Sequence, residues 1–144
     1  MVQERQPVTR FEDLIVWQRA RELTAAVYRC TREEPFARDV GLASQLQRAA
    51  VSVMANIAEG FERRRPAEFA RYLDIARASN AEVASHLYVA LDVGYLPKST
   101  FDELQGASRQ LGAMLSRFTS TVRGNVATKS APLGTGNRAP GGEG

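Results

Sequence analysis

Large apolar residues recur every three or four positions in four successive blocks of this chain, and that spacing limits its fold more than any other feature. No stretch alternates with period two for long enough to make a strand, so the expected class is all-α. In the first block Val16, Trp17, Ala20, Leu23, Thr24, Val27 and Tyr28 predict a helix from about Glu12 to about Arg32. Pro35 limits it, because the residue before a proline is pushed out of helical geometry.

Asp39 suits the N-cap of a second helix, whose stripe is Leu42, Leu46, Ala49, Ala50, Val53, Ile57 and Phe61. Gly60 and the charged run after it signal a break. Pro66 fits the first position of a third helix, where its missing N–H is harmless. There Phe69, Tyr72, Leu73, Ala76, Val83, Leu87, Ala90 and Leu91 share a face, and Gly94 supplies the stop. Ser99 and Thr100 open the fourth helix, with Thr100 and Glu103 at capping-box spacing. Phe101, Leu104, Leu111, Met114, Leu115, Phe118 and Val122 line its inner side.

Four amphipathic helices with short connections predict an antiparallel up-down-up-down four-helix bundle over residues 11–123. The polar residues 1–10 read as a flexible arm. Residues 124–144 are rich in Gly and Pro and nearly free of large apolar groups, so they are expected to be a disordered tail. At 144 residues and 44% hydrophobic composition, one domain with its own core is expected. The N-terminus lacks an apolar signal region, and no run reaches the roughly 18 apolar residues of a membrane span. A single cysteine, Cys30, cannot form an internal disulfide. The expected location is the cytoplasm.

The second helix carries a further signal. At about 100° per residue, Arg48, Ser52, Asn56 and Glu59 gather on the side opposite its stripe, with Ala55 and Ala58 beside them. Small side chains let another backbone approach closely, although alanine is also simply the best helix former. Arg48, Ser52, Ala55, Asn56 and Glu59 are therefore candidates for an interface between subunits. In the third helix Asn80 interrupts the apolar stripe. A buried Asn needs hydrogen-bond partners, and fixing helix register is favoured over binding a ligand.

Residues suited to catalysis are scarce. The only histidine, His86, flanks the third stripe and reads as a packing or interface residue. Cys30 reads as a small buried apolar group. The paired carboxylates Glu12 with Asp13, Glu33 with Glu34, and Asp102 with Glu103 sit near helix ends, where capping and the helix dipole account for them. Bundle metal sites use Glu-x-x-His motifs, whereas Glu82 precedes His86 by four positions. No catalytic, metal or cofactor site is expected, and the protein is read as a non-enzyme. What remains is Arg63, Arg64 and Arg65, with Arg71 on the next helix. Glu62 and Glu68 cannot neutralise all of them, so these four are the candidate contacts to nucleic acid, with a solvated turn the commoner reading of such a run taken alone. The chain's formal charge of +3 permits an anionic partner without requiring one.

The segments FEDLIVWQRARELTAAVYRCT, GLASQLQRAAVSVMANIAEGFERRRPAEFARYLDIARASNAEVASHL and ALDVGYL resemble the bacterial four-helix-bundle proteins of 23S ribosomal RNA intervening sequences. The likeness runs from about Phe11 to Val122 and is most specific in SQLQRAAVSVMANIAEG with the following FERRR and EFARYL. It implies a closed homopentamer of four-helix bundles, with no catalytic residue and no cofactor. A related branch, the accessory variability proteins of diversity-generating retroelements, works with a reverse transcriptase and binds nucleic acid through a basic surface. Gln45, Arg48, Ser52, Asn56, Glu59 and Gly60 stand at signature positions, which the resemblance assigns to structure. Met54 departs from the family pattern, which often has a proline there. The resulting expectation is an oligomeric scaffold that binds RNA or DNA through arginines; the alternative is a module that docks a protein such as a retroelement reverse transcriptase.

Overall fold

A computed structural model describes residues 7–130, with side chains to Val126. Its helices are α1 (Ile15–Thr31), α2 (Val40–Glu62), α3 (Pro66–Asp92) and α4 (Lys98–Ser130), and there are no strands among the described residues. Short 3-10 turns at Phe11–Asp13 and Phe36–Arg38 precede α1 and α2. α1 packs against α2 and α4, and α3 packs against the same two, with α2–α3 the most extensive pairing. Bonds such as Ser52 to Ser79 and Asn80 to Ser108 join neighbours running in opposite directions. The result is an antiparallel four-helix bundle.

The periodic residues fill the core. Val27, Leu46, Val53, Ile57, Leu73, Ala76, Val83, Leu87 and Leu115 have essentially no solvent exposure. Each buried Val, Leu or Ile side chain among them contributes about 1.5–3 kcal/mol of transfer free energy before ordering costs. Asp39 caps α2 as expected, its Oδ1 accepting from the Leu42 N–H at 3.1 Å.

Three local expectations need correction. α2 passes through Gly60 to Glu62, and the chain turns at Arg64, whose φ is +62°. Gly60 serves packing instead: a Cβ there would lie 2.6 Å from Tyr72 Cβ and 3.0 Å from a Phe69 ring carbon. Its missing side chain is what lets α2 and α3 approach at this level. α4 begins at Lys98, so Thr100 is already inside the helix, and the Phe101 N–H bonds to the Pro97 carbonyl. Finally, α4 runs past Gly124 to Ser130. Extending a long helix adds one hydrogen bond per residue fixed, which outweighs the roughly 1 kcal/mol that one glycine costs. The rest of the expected tail and most of the expected arm lie outside the described residues.

Several of the buried polar residues pair across helices. Asn80 Nδ2 donates to the Ser108 carbonyl at 2.8 Å, and Ser108 Oγ donates to Asn80 Oδ1 at 3.0 Å. This reciprocal pair satisfies both groups and sets the register of α3 on α4. Thr24 Oγ1 and Gln47 Nε2 tie α1 to α2 by donating to the Ala50 carbonyl at 3.1 Å and Thr31 Oγ1 at 2.8 Å.

Candidate nucleic-acid interface

The α2–α3 turn brings the candidate arginines to one end of the bundle but gives them different surroundings. Arg63 donates to Glu59 Oε1 at 3.2 Å and to the Tyr72 hydroxyl at 2.9 Å. The bond to Glu59 raises its pKa further and partly neutralises its field. Arg64 extends over the Phe61 ring, 5.0 Å from its centroid, and Arg71 lies over Tyr72 at 5.6 Å. Arg65 is the N-cap residue of α3 and makes no side-chain cap. Among the described residues, no carboxylate lies within ion-pair distance of Arg64, Arg65 or Arg71. Three guanidiniums thus remain available beside the positive end of a helix.

Behind Arg64 and Arg65 a cavity of about 320 Å³ opens between the ends of α2, α3 and α4 and the arm. Its aromatic wall is Phe61, Phe69 and Phe118. Phe69 meets Phe61 at 6.0 Å and Phe118 at 5.5 Å, both edge to face. Sequence reading placed these three in separate helix stripes and had no means of joining them. Val8 also lines the cavity, and its neighbours are pinned, since the Thr9 and Arg10 N–H groups donate to Asp13 Oδ2. Nearby on α3 and α4, Asp74 is paired with both Arg77 and Arg123.

The candidate interface residues of α2 divide. Ser52 and Asn56 are half-buried on the flank that faces α3, not opposite the core. Ser52 Oγ shares a 2.8 Å hydrogen bond with Ser79 Oγ, and Asn56 Nδ2 donates to the Ser52 carbonyl at 2.8 Å. Glu59 is held by Arg63 and by the Tyr72 hydroxyl. Arg48 and Ala55 point outward. On α3 the adjoining stripe Ile75, Ser79, Glu82, His86 and Val89, continued by the C-cap residue Val93, recurs at spacings of three and four. Ile75, Val89 and Val93 are 43%, 44% and 54% exposed, which the sequence reading did not single out.

His86 Nε2 lies 3.9 Å from Glu82 Oε1, an ion pair only when the imidazole is protonated. Cys30 is buried with Sγ 3.3 Å from the Val27 carbonyl, and burial pushes its pKa up to about 11. Among the described residues no cluster of His, Cys, Asp and Glu is arranged to hold a metal ion, and no helix is long and apolar enough to cross a membrane.

Residues 12–117 match the 23S rRNA-intervening sequence protein family. The chain belongs to that family. Within the 23S rRNA-intervening sequence proteins, the matched span takes in α1, α2, α3 and most of α4, together with the arginine turn. A solved crystal structure of a protein of unknown function from the S23 ribosomal protein family of Bacteroides thetaiotaomicron has the same fold. It aligns with a TM-score of 0.67 at 19% identity, over 73% of this chain and 98% of its own. No curated protein matches the chain.

Proposed function

We propose that this member of the 23S rRNA-intervening sequence proteins is a non-enzymatic cytoplasmic scaffold that assembles with copies of itself and binds RNA or DNA through Arg64, Arg65 and Arg71. The observation that carries the reading is the grouping of these three guanidiniums, without carboxylate partners, at one end of the bundle. Phosphate contacts of this kind are individually modest and salt-sensitive. Assembly repeats the patch, and linked sites raise the overall affinity well above that of one.

For assembly, the supporting feature is the outer face of α2 and α3, where Arg48, Ala55 and Ile75 flank the small Ser52–Ser79 pair and the exposed Val89 and Val93 continue the stripe toward the end of α3. The family resemblance makes a closed pentamer the expected closure, and rings of identical contacts are a common way to close an assembly. The same exposed apolar face favours a second reading, in which it docks a different protein such as a reverse transcriptase.

Two measurements test the proposal. Fluorescence anisotropy with a structured RNA at two salt concentrations is expected to show binding that weakens with salt. Replacing Arg64, Arg65 and Arg71 by Ala is expected to lower the logarithmic salt slope by roughly 2–3 per protomer engaged. Salt-independent binding, or no effect of the triple replacement, overturns direct phosphate contact. Light scattering is expected to give a multimer that Ile75→Arg dissociates; a monomer overturns self-assembly and leaves the face to a protein partner.

A further inference from the structure

The cavity behind the arginine turn is the feature that phosphate binding leaves unexplained. Its volume of about 320 Å³ lies at the low end of the roughly 300–1,000 Å³ typical of small-ligand pockets. That suits a single ring system and not a stacked run. Phe61, Phe69 and Phe118 form one contiguous aromatic wall, only partly buried by the core, and Val8, Leu14 and Val122 add to the lining. The rim is cationic: Arg64 sits 5.0 Å over Phe61, Arg65 lines the opening, and α3 starts there without a side-chain cap. The backbone at Arg64 is in the left-handed region, with φ +62°, where glycine would sit without strain. An arginine is held there instead, its guanidinium over the Phe61 ring.

An occupant must therefore offer a flat π-face of one or two rings and carry negative charge close beside it. A base-paired duplex cannot supply this, because its bases are stacked away from the surface. An unpaired nucleotide can, since every base has a π-face and aromatic side chains accept it with little regard to sequence. An apolar peptide would match the wall but waste the charge of the rim.

We infer that the Phe61–Phe69–Phe118 cavity takes one unstacked base of single-stranded RNA or DNA while Arg64 and Arg65 hold the flanking phosphates. The inference rests on the proposed phosphate binding and adds a base site and a preference for single strands. In a ring of subunits each protomer presents one such pocket.

The test uses the full chain and fluorescence anisotropy with three probes of equal phosphate number: an oligothymidylate, the same backbone made of abasic units, and a blunt duplex. The oligothymidylate is expected to bind about tenfold more tightly than the abasic chain, in line with one stacked base. Phe69→Leu and Phe118→Leu keep most of the apolar volume and remove the π-face. Each is expected to erase most of that preference and to leave duplex affinity unchanged. Equal binding of the oligothymidylate and abasic chains to the unmodified protein overturns the base pocket while leaving phosphate contact standing, even if neither leucine variant folds. Failure of all three probes to bind at low salt overturns the phosphate reading and the pocket with it.

Discussion

The two ends of the bundle are built on opposite plans. Where α1 leads into α2 and α3 into α4, Phe36 is fully buried and stacks on Tyr95 at 5.1 Å. The Tyr95 hydroxyl donates to Asp39 Oδ2 at 2.9 Å, and the other oxygen of that carboxylate caps α2. One aspartate thus ties both connections together, and its bond raises the Tyr95 pKa. At the opposite end three phenylalanines meet edge to face around open space, and the connecting turn carries arginines. The difference teaches that a bundle can concentrate stability at one end and leave the other incompletely filled.

The comparison is broken most directly at the closed end. Phe36→Ala is expected to cost about 3–5 kcal/mol, the usual effect of emptying a fully buried aromatic site. Urea denaturation checks it, and Phe118→Leu at the open end is expected to cost less than about 1.5 kcal/mol in the same assay. A similar loss at both sites would mean that the ends are equally packed.

A smaller effect of opposite sign is expected at the turn. Arg64→Gly relieves a left-handed backbone that costs an ordinary residue roughly 1–2 kcal/mol, offset in part by the greater freedom of glycine in the unfolded chain. A net stabilisation of about 0.5–1 kcal/mol is expected in thermal unfolding, together with weaker binding to nucleic acid. Stability and binding moving apart at one residue would mark the strain as serving the open end. A destabilised variant would show that the stacked arginine holds the turn together.

A last effect is absent at neutral pH and confined to the alkaline range. Burial raises the Cys30 thiol from its ordinary value near 9 to about 11 in the folded chain, near the closed end. Between those values the unfolded thiol has lost its proton and the folded one has kept it, so stability falls as pH rises through that window. Cys30→Ala is expected to flatten the pH dependence of the melting temperature between about pH 9 and 11. An unchanged slope would show that the thiol is more accessible than its burial implies.

Much of the scaffold was legible in the residues themselves. The stripes from Leu46 to Ile57 and from Leu73 to Ala90 are buried where the three- and four-residue spacing places them. Pro66 opens α3, and Gly94, with φ +84°, follows its end. Asn80 stood out as polar within a stripe and found partners. Its partner Ser108 did not, because a serine on a helix gives no local sign of burial. Glycine misled at position 60, where its use is a close helix crossing and the turn falls instead on an arginine. Of the candidate site, the arginines were readable as a run of charge, but their division into one paired and three available guanidiniums was not. That division depends on Glu59 and Tyr72, which reach Arg63 from two different helices.

The sequence by itself determined the helices, their inner faces and the basic turn, because periodicity, capping and proline geometry act over a few neighbouring residues. The tertiary structure decided which flank of α2 meets α3, which buried polar groups find each other, and that Phe61, Phe69 and Phe118 enclose one space. Those outcomes depend on how closely the helices approach and in what register. Both are set by packing between residues far apart in the chain, which no local pattern records.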